Sequence, residues 1–224
     1  MFNWSGKKKA APAPSAAATA EQPRIFPRLK HLNFVEALQP ALEALKEMGG
    51  DPIADTPVTR PLAGDLLISY AFDMTDQWRA VSNRHMLELG LDPNSLHALA
   101  MSNLEDALSH LLRIESLKLY RIVTTGYELE ACSMLIPDLW DRLASEVRGE
   151  LLVVVPTVDQ ISFMGSQDHL TAEGRTIDAS KILGFMCSTA VKLRDEERVN
   201  ALSRKIFTWS SGSWSVHGDL SGPE

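Results

Sequence analysis

Between Phe34 and Met48 the apolar residues Phe34, Leu38, Ala41, Leu42 and Leu45 recur at intervals of three and four, the period of a helix with one buried stripe. Gly49-Gly50 ends it, since glycine tolerates left-handed backbone, and a Pro-rich connection runs from Pro52 to Pro61. From Gly64 to Phe72 the period becomes two. Leu66, Ile68, Tyr70 and Phe72 fall on one face, while Leu67, Ser69, Ala71 and Asp73 fall on the other, as a strand requires. A second helix is marked by Asp92 as cap, Pro93 in the first turn, and a stripe of Leu96, Leu99, Ala100, Leu104, Leu108 and Leu111.

Two runs rich in β-formers, Leu117 to Thr124 and Tyr127 to Met134, flank Thr125-Gly126 and predict a hairpin. Pro137 opens a helix carrying Leu139, Trp140, Leu143 and Val147, closed by Gly149. Leu151 to Val155 is the most hydrophobic run and predicts a central strand covered on both faces. A turn at Thr157-Val158-Asp159 leads to a weaker strand, Ile161 to Met164. Ile177 to Leu193 predicts a helix, and Lys205 to Trp209 with Ser213 to His217 a closing hairpin about Ser211-Gly212. Helices alternating irregularly with antiparallel pairs predict an α+β fold: a mixed, largely antiparallel sheet with helices packed on it, in a single domain over 24–217.

Composition changes this picture at the ends. The chain has 224 residues, 45% hydrophobic and 23% charged, enough to bury a core without a disulfide or metal. Residues 1–23 read as a disordered, basic Ala/Pro-rich arm, and 218–224 as a flexible tail. Within the arm, Phe2 and Trp4 precede Lys7, Lys8 and Lys9, a pattern suited to weak peripheral contact with a membrane surface or a partner. Positions 1–30 carry +5, leaving −12 on the rest of a chain of net charge −7. Such an acidic body repels phosphate backbones and argues against nucleic acid as a partner. Cys132 and Cys187 lie in apolar stretches and read as buried thiols. No apolar run is long enough for a transmembrane segment, and a cytoplasmic location is expected.

The chain carries no GxSxG elbow, Walker loop, dinucleotide fingerprint or His/Cys metal motif, so no metal or cofactor is expected. Three carboxylates stand at strand ends: Asp65, Asp73 and Asp159. Converging, they would support metal-dependent hydrolysis; separate, they cap turns. Tyr127, Trp140, Trp209 and Trp214 would line a binding groove if they lay together, though large aromatics also build cores.

Several ordered segments resemble the YtpQ-like family of uncharacterised bacterial proteins. They include Pro61-Leu-Ala-Gly-Asp-Leu-Leu-Ile-Ser-Tyr-Ala-Phe-Asp73, Glu130-Ala-Cys-Ser-Met-Leu-Ile-Pro-Asp-Leu-Trp140, Val154-Val-Pro-Thr-Val-Asp159 and Leu202-Ser-Arg-Lys-Ile-Phe207. The resemblance implies a single α+β domain and brings no activity, cofactor or catalytic residue with it. Acidic balance and missing motifs together lead to the expectation of a non-enzymatic protein-binding module, an adaptor or immunity-type partner.

Overall fold

The computed structural model describes residues 24–74, 76–167, 169–170, 176–197 and 200–220. Its α+β fold is built on two antiparallel sheets. In the first, β1 (Ile25–His31) pairs along the whole of β3 (Leu66–Asp73). The other edge of β3 is shared by β2 (Thr59–Ala63) and β4 (Trp78–Ala80). Pro61 within β2 fits this edge position, where a missing N–H costs no ladder bond.

Between β1 and β3 lie α1 (Phe34–Ala37), α2 (Gln39–Glu47) and α3 (Pro52–Asp55). The periodic stretch expected as one helix breaks at Leu38, because Pro40 in the first turn of α2 has no N–H to continue the α1 ladder. The span expected as a Pro-rich connection also folds: Asp51 accepts from the amides of Ile53 and Ala54 to start α3, and β2 follows. After β4 come α4 (Asn83–Leu89) and α5 (Pro93–Leu111). Asp92 caps α5 at the Asn94 and Ser95 amides, and Leu96, Ala100, Leu104 and Leu108 are its buried stripe. Leu99, off that stripe, is exposed. This helix packs on β1; Tyr70 meets His97 at 3.0 Å, and Asn103 donates to the Ile25 carbonyl.

The second sheet has the order β12-β11-β7-β8-β6-β5. Its strands are β5 (Arg113–Ser116), β6 (Arg121–Thr124), β7 (Leu151–Thr157), β8 (Gln160–Gly165), β11 (Lys205–Ser210) and β12 (Ser213–Asp219). A two-stranded pair, β9 (His169–Leu170) and β10 (Thr176–Ile177), stands outside both sheets. Alternation along β7 divides the interior. Leu151, Val153 and Val155 enter the main core with Phe163, Phe207 and α6 (Pro137–Glu146), whereas Leu152 and Val154 pack beneath α7 (Ala179–Glu196) with Ile182, Met186 and Ala190. As expected, this central strand is covered on both faces.

Two expectations need correction. The hairpin predicted at Thr125-Gly126 forms one element earlier, with β5 against β6, and Ala131–Leu135 is a 3₁₀ turn. The reason is local satisfaction of the backbone: the Glu130 carboxylate accepts from the Thr125 and Gly126 amides, and Thr125 Oγ1 from those of Tyr127 and Leu129. Those N–H groups are then not available to a ladder. Residues 218–220, expected in the tail, are also part of the fold: β12 continues to Asp219, and Leu220 is buried and donates its N–H to the Arg204 carbonyl. The arm at 1–23 and residues 221–224 lie outside the described residues.

Candidate functional site

The three strand-end carboxylates do not meet. Asp65 immediately precedes β3 and Asp73 is its last residue, a separation of about 26 Å at 3.3 Å per residue. Each is engaged where it stands. Asp65 accepts from Ser203 Oγ and lies 3.5 Å from His31, so it ties the start of β3 to the chain entering β11. Asp73 pairs with Trp78 across β3 and β4, and Asp159 is exposed in the β7–β8 turn, accepting from Thr157 Oγ1 at 2.8 Å. Among the described residues, no group of three His, Cys, Asp or Glu side chains is placed to hold a metal ion.

The tryptophans do come together, Trp140 and Trp209 buried and Trp214 partly so. Trp140 is fully buried and packs edge-on against Trp214 at 5.0 Å, which in turn meets Trp209 at 4.9 Å. Their indole N–H groups donate to Ser133 O, Met134 O and Asp141 Oδ1 respectively for Trp140, Trp214 and Trp209. A buried indole with its one donor satisfied is a core anchor, not a groove wall. Tyr127 is half-buried against the same core. Phe2, Trp4, Lys7, Lys8 and Lys9 lie outside the described residues.

A concavity among the described residues lies elsewhere. Cross-strand register places Arg28 opposite Ser69 and Ala71 opposite Ala80, so on one face of the first sheet the small side chains of β3 and β4 lie beside the charged ones of β1. With little bulk at Ser69, Ala71 and Ala80, the sheet floors a cavity of about 370 Å³. Phe34, Leu38 and Leu42 from α1 and α2 form an apolar wall, and α3 and α4 supply Asp55, Arg84, His85 and Glu88 opposite.

Charge is concentrated on the floor. Arg28 is only 5% exposed; its guanidinium lies over the Trp78 ring at 4.5 Å and donates through Nη1 to the Glu128 carbonyl. Glu128 Oε2 is 3.6 Å from Nη2. Glu128 holds φ at +56° without being glycine, a left-handed backbone that costs of order 1 kcal/mol and that the surrounding contacts must enforce. Lys30, two residues along β1, points to the same face, with Nζ 5.4 Å from the centre of the Phe34 ring. Burial, followed by the neighbouring Arg28 charge, lowers the Lys30 pKa to about 8.

At the α4 side, Arg79 donates to His85 Nε2 at 2.8 Å, while the Ser82 amide donates to His85 Nδ1 at 3.0 Å in a capping box. Both ring nitrogens face donors, an arrangement that opposes an imidazolium. Burial first, and the Arg79 charge second, hold the His85 pKa below the ordinary histidine value. Ser82 Oγ also lies 3.0 Å from Nδ1, the spacing of a nucleophile and base. A histidine base is steadied by a carboxylate on its far nitrogen; here that nitrogen meets a guanidinium. The pair fixes the start of α4 and is poorly arranged to take a proton. Arg84 and Asp55 close this wall with paired contacts of 2.9 Å.

None of Arg28, Lys30, Arg79, His85 or Glu128 stands out in the sequence as a site. The legible signal is the alternation of Phe26, Arg28 and Lys30 with Ile25, Pro27 and Leu29, a strand charged on one face. Glu128 offers no such signal, because its role depends on a contact 100 residues away. Compared with known proteins, the chain matches no family, no curated protein and no solved structure.

Proposed function

We propose that the protein is a binding module whose ligand is a small molecule seated in the cavity over the first sheet. The observation that carries this reading is a cationic floor, Arg28 and Lys30, beside an apolar wall of Phe34, Leu38 and Leu42 in a chain that is otherwise strongly acidic. Cavities of this size with few polar groups are the usual form of a small-ligand site, and perturbed ionisation inside one adds weight. The expectation of a non-enzymatic module is retained, with the seat moved from the tryptophans to the sheet. Membership of the YtpQ-like family stays a proposal resting on the ordered segments quoted above.

The test is calorimetric titration of amphipathic probes into the wild type and an Ala71→Leu variant. Saturable one-to-one binding that the variant loses, with folding intact by circular dichroism, supports the cavity as the seat. Binding that survives the filled cavity, or no saturable binding of any probe, contradicts it.

A second reading, docking of a basic protein, is favoured by Met48, Ile53 and Leu87, which are 78–81% exposed on or beside α2, α3 and α4. A salt-weakened complex with a basic partner, lost on Leu87→Ser and indifferent to Ala71→Leu, is its expected signature.

A further inference from the structure

Taking the cavity as a ligand seat, we propose that its occupant is a monoanionic amphiphile: a carboxylate whose charge lies by Lys30 and whose hydrocarbon body lies against Phe34, Leu38 and Leu42. Charge complementarity argues for the single negative charge. Among the described residues, the side chains around the cavity comprise four cations, Arg28, Lys30, Arg79 and Arg84, and three carboxylates, Asp55, Glu88 and Glu128. Four of these form two close pairs, Arg28 with Glu128 and Arg84 with Asp55. With His85 neutral between its two donors, the surround carries one net positive charge, which a carboxylate balances. A phosphate monoester brings a second negative charge into a walled space where charge is costly.

The position of the cations assigns the two ends. Arg28 spends its planar fork on Glu128 and its face on Trp78, so the bidentate geometry that makes arginine a carboxylate clamp is already occupied. Lys30 is a compact ammonium beside Phe34 at the end of the floor where α1 and α2 form the wall. A head group held there leaves its chain to run along Leu38 and Leu42, of which Leu42 is 4% exposed. The small floor residues Ser69, Ala71 and Ala80 give that chain its room.

The experiment is calorimetric titration of the intact chain, at about neutral pH, with decanoate, decanamide and decyl phosphate. The expected result is decanoate binding at least about tenfold tighter than decanamide, a preference of the size one partly desolvated charge contact gives. Lys30→Met is expected to lose that preference, binding decanoate no tighter than decanamide. Equal affinity for decanoate and decanamide in the wild type would overturn the charge assignment and leave the cavity as an apolar seat. Decyl phosphate binding tightest would overturn the single-charge argument in the same way. Failure of all three probes to bind would instead remove the ligand-seat reading on which the proposal rests. The wild-type comparison needs no variant, so misfolding of Lys30→Met leaves the proposal open to refutation.

Discussion

Glu128 grips Arg28 twice, through its own backbone carbonyl and through its carboxylate, across 100 residues of chain. The left-handed backbone of Glu128 aims both groups at one guanidinium. Removing either partner has unequal consequences. Arg28→Ala leaves the Glu128 carbonyl and carboxylate without their donor beside a stripped Trp78 face, and is expected to cost about 3 kcal/mol. Glu128→Gly keeps the carbonyl contact and relieves the backbone, so its expected cost is smaller, about 1 kcal/mol. Urea unfolding of the two variants measures the order.

Lys30 makes stability depend on alkaline pH. Its folded pKa of about 8 lies below the unfolded value of 10.5, so the folded state disfavours the charge that the unfolded chain keeps. Below pH 8 the penalty is present in full, and it is relieved as pH rises from about 8 towards 10.5. Relative to Lys30→Met, the wild type is therefore expected to gain on the order of 2 kcal/mol between pH 7.5 and pH 10. Parallel denaturation curves of the two proteins at each pH check it, because other titrating groups cancel in the difference.

His85 acts in the acid range. Its lowered folded pKa means that the unfolded chain takes up the proton first as pH falls, so stability is lost below about 6.5 and fully retained above it. A His85→Gln variant, which cannot titrate, is expected to show a shallower fall in melting temperature between pH 7 and 5 than the wild type.

Two glycines separate close approach from mere flexibility. A Cβ on Gly165 would collide with the backbone of Arg148, whereas one on Gly184, in the middle of α7, meets nothing. Gly165→Ala is expected to cost about 1–3 kcal/mol through displaced backbone. Gly184→Ala is expected to add about 0.5–1 kcal/mol, the helix-interior advantage of alanine over glycine. Thermal unfolding of both variants gives opposite signs if the packing is right.

The Asp65 and Asp159 side chains differ in the same testable way. Asp65, with a half-buried side chain accepting from Ser203, is expected to lose about 1–2 kcal/mol on replacement by alanine, since a buried hydroxyl forfeits its acceptor. Asp159→Ala, in an exposed turn, is expected to stay within about 1 kcal/mol of wild type.

The sequence was most legible where period and cap agree. Asp92, Pro93 and the Leu96–Leu108 stripe give α5 nearly residue for residue, and the apolar run at Leu151 locates the strand at the middle of the larger sheet. Legibility fails where side chains satisfy the backbone locally: Thr125 and Glu130 turn a β-rich stretch into a loop and a 3₁₀ turn. The helix break at Leu38 follows from Pro40 and was within reach of the pattern. The candidate site was not, because a cavity is a property of what is missing. Ser69 and Ala71 look unremarkable along the chain, and only the register that sets them beside Arg28 and Ala80 makes the hollow. Of the aromatic residues that drew attention by their size, Trp140 and Trp209 are interior, and Tyr127 and Trp214 are partly buried against the same core.

The most direct test is crystallographic: the wild type soaked with decanoate, against an Ala71→Leu crystal treated alike. Density for one carboxylate with its oxygens within hydrogen-bonding reach of Lys30 and its chain along Leu38 and Leu42, absent from the variant, is the expected result. A wild-type cavity holding only solvent at saturating decanoate, or the ligand ordered at another surface, would contradict the account.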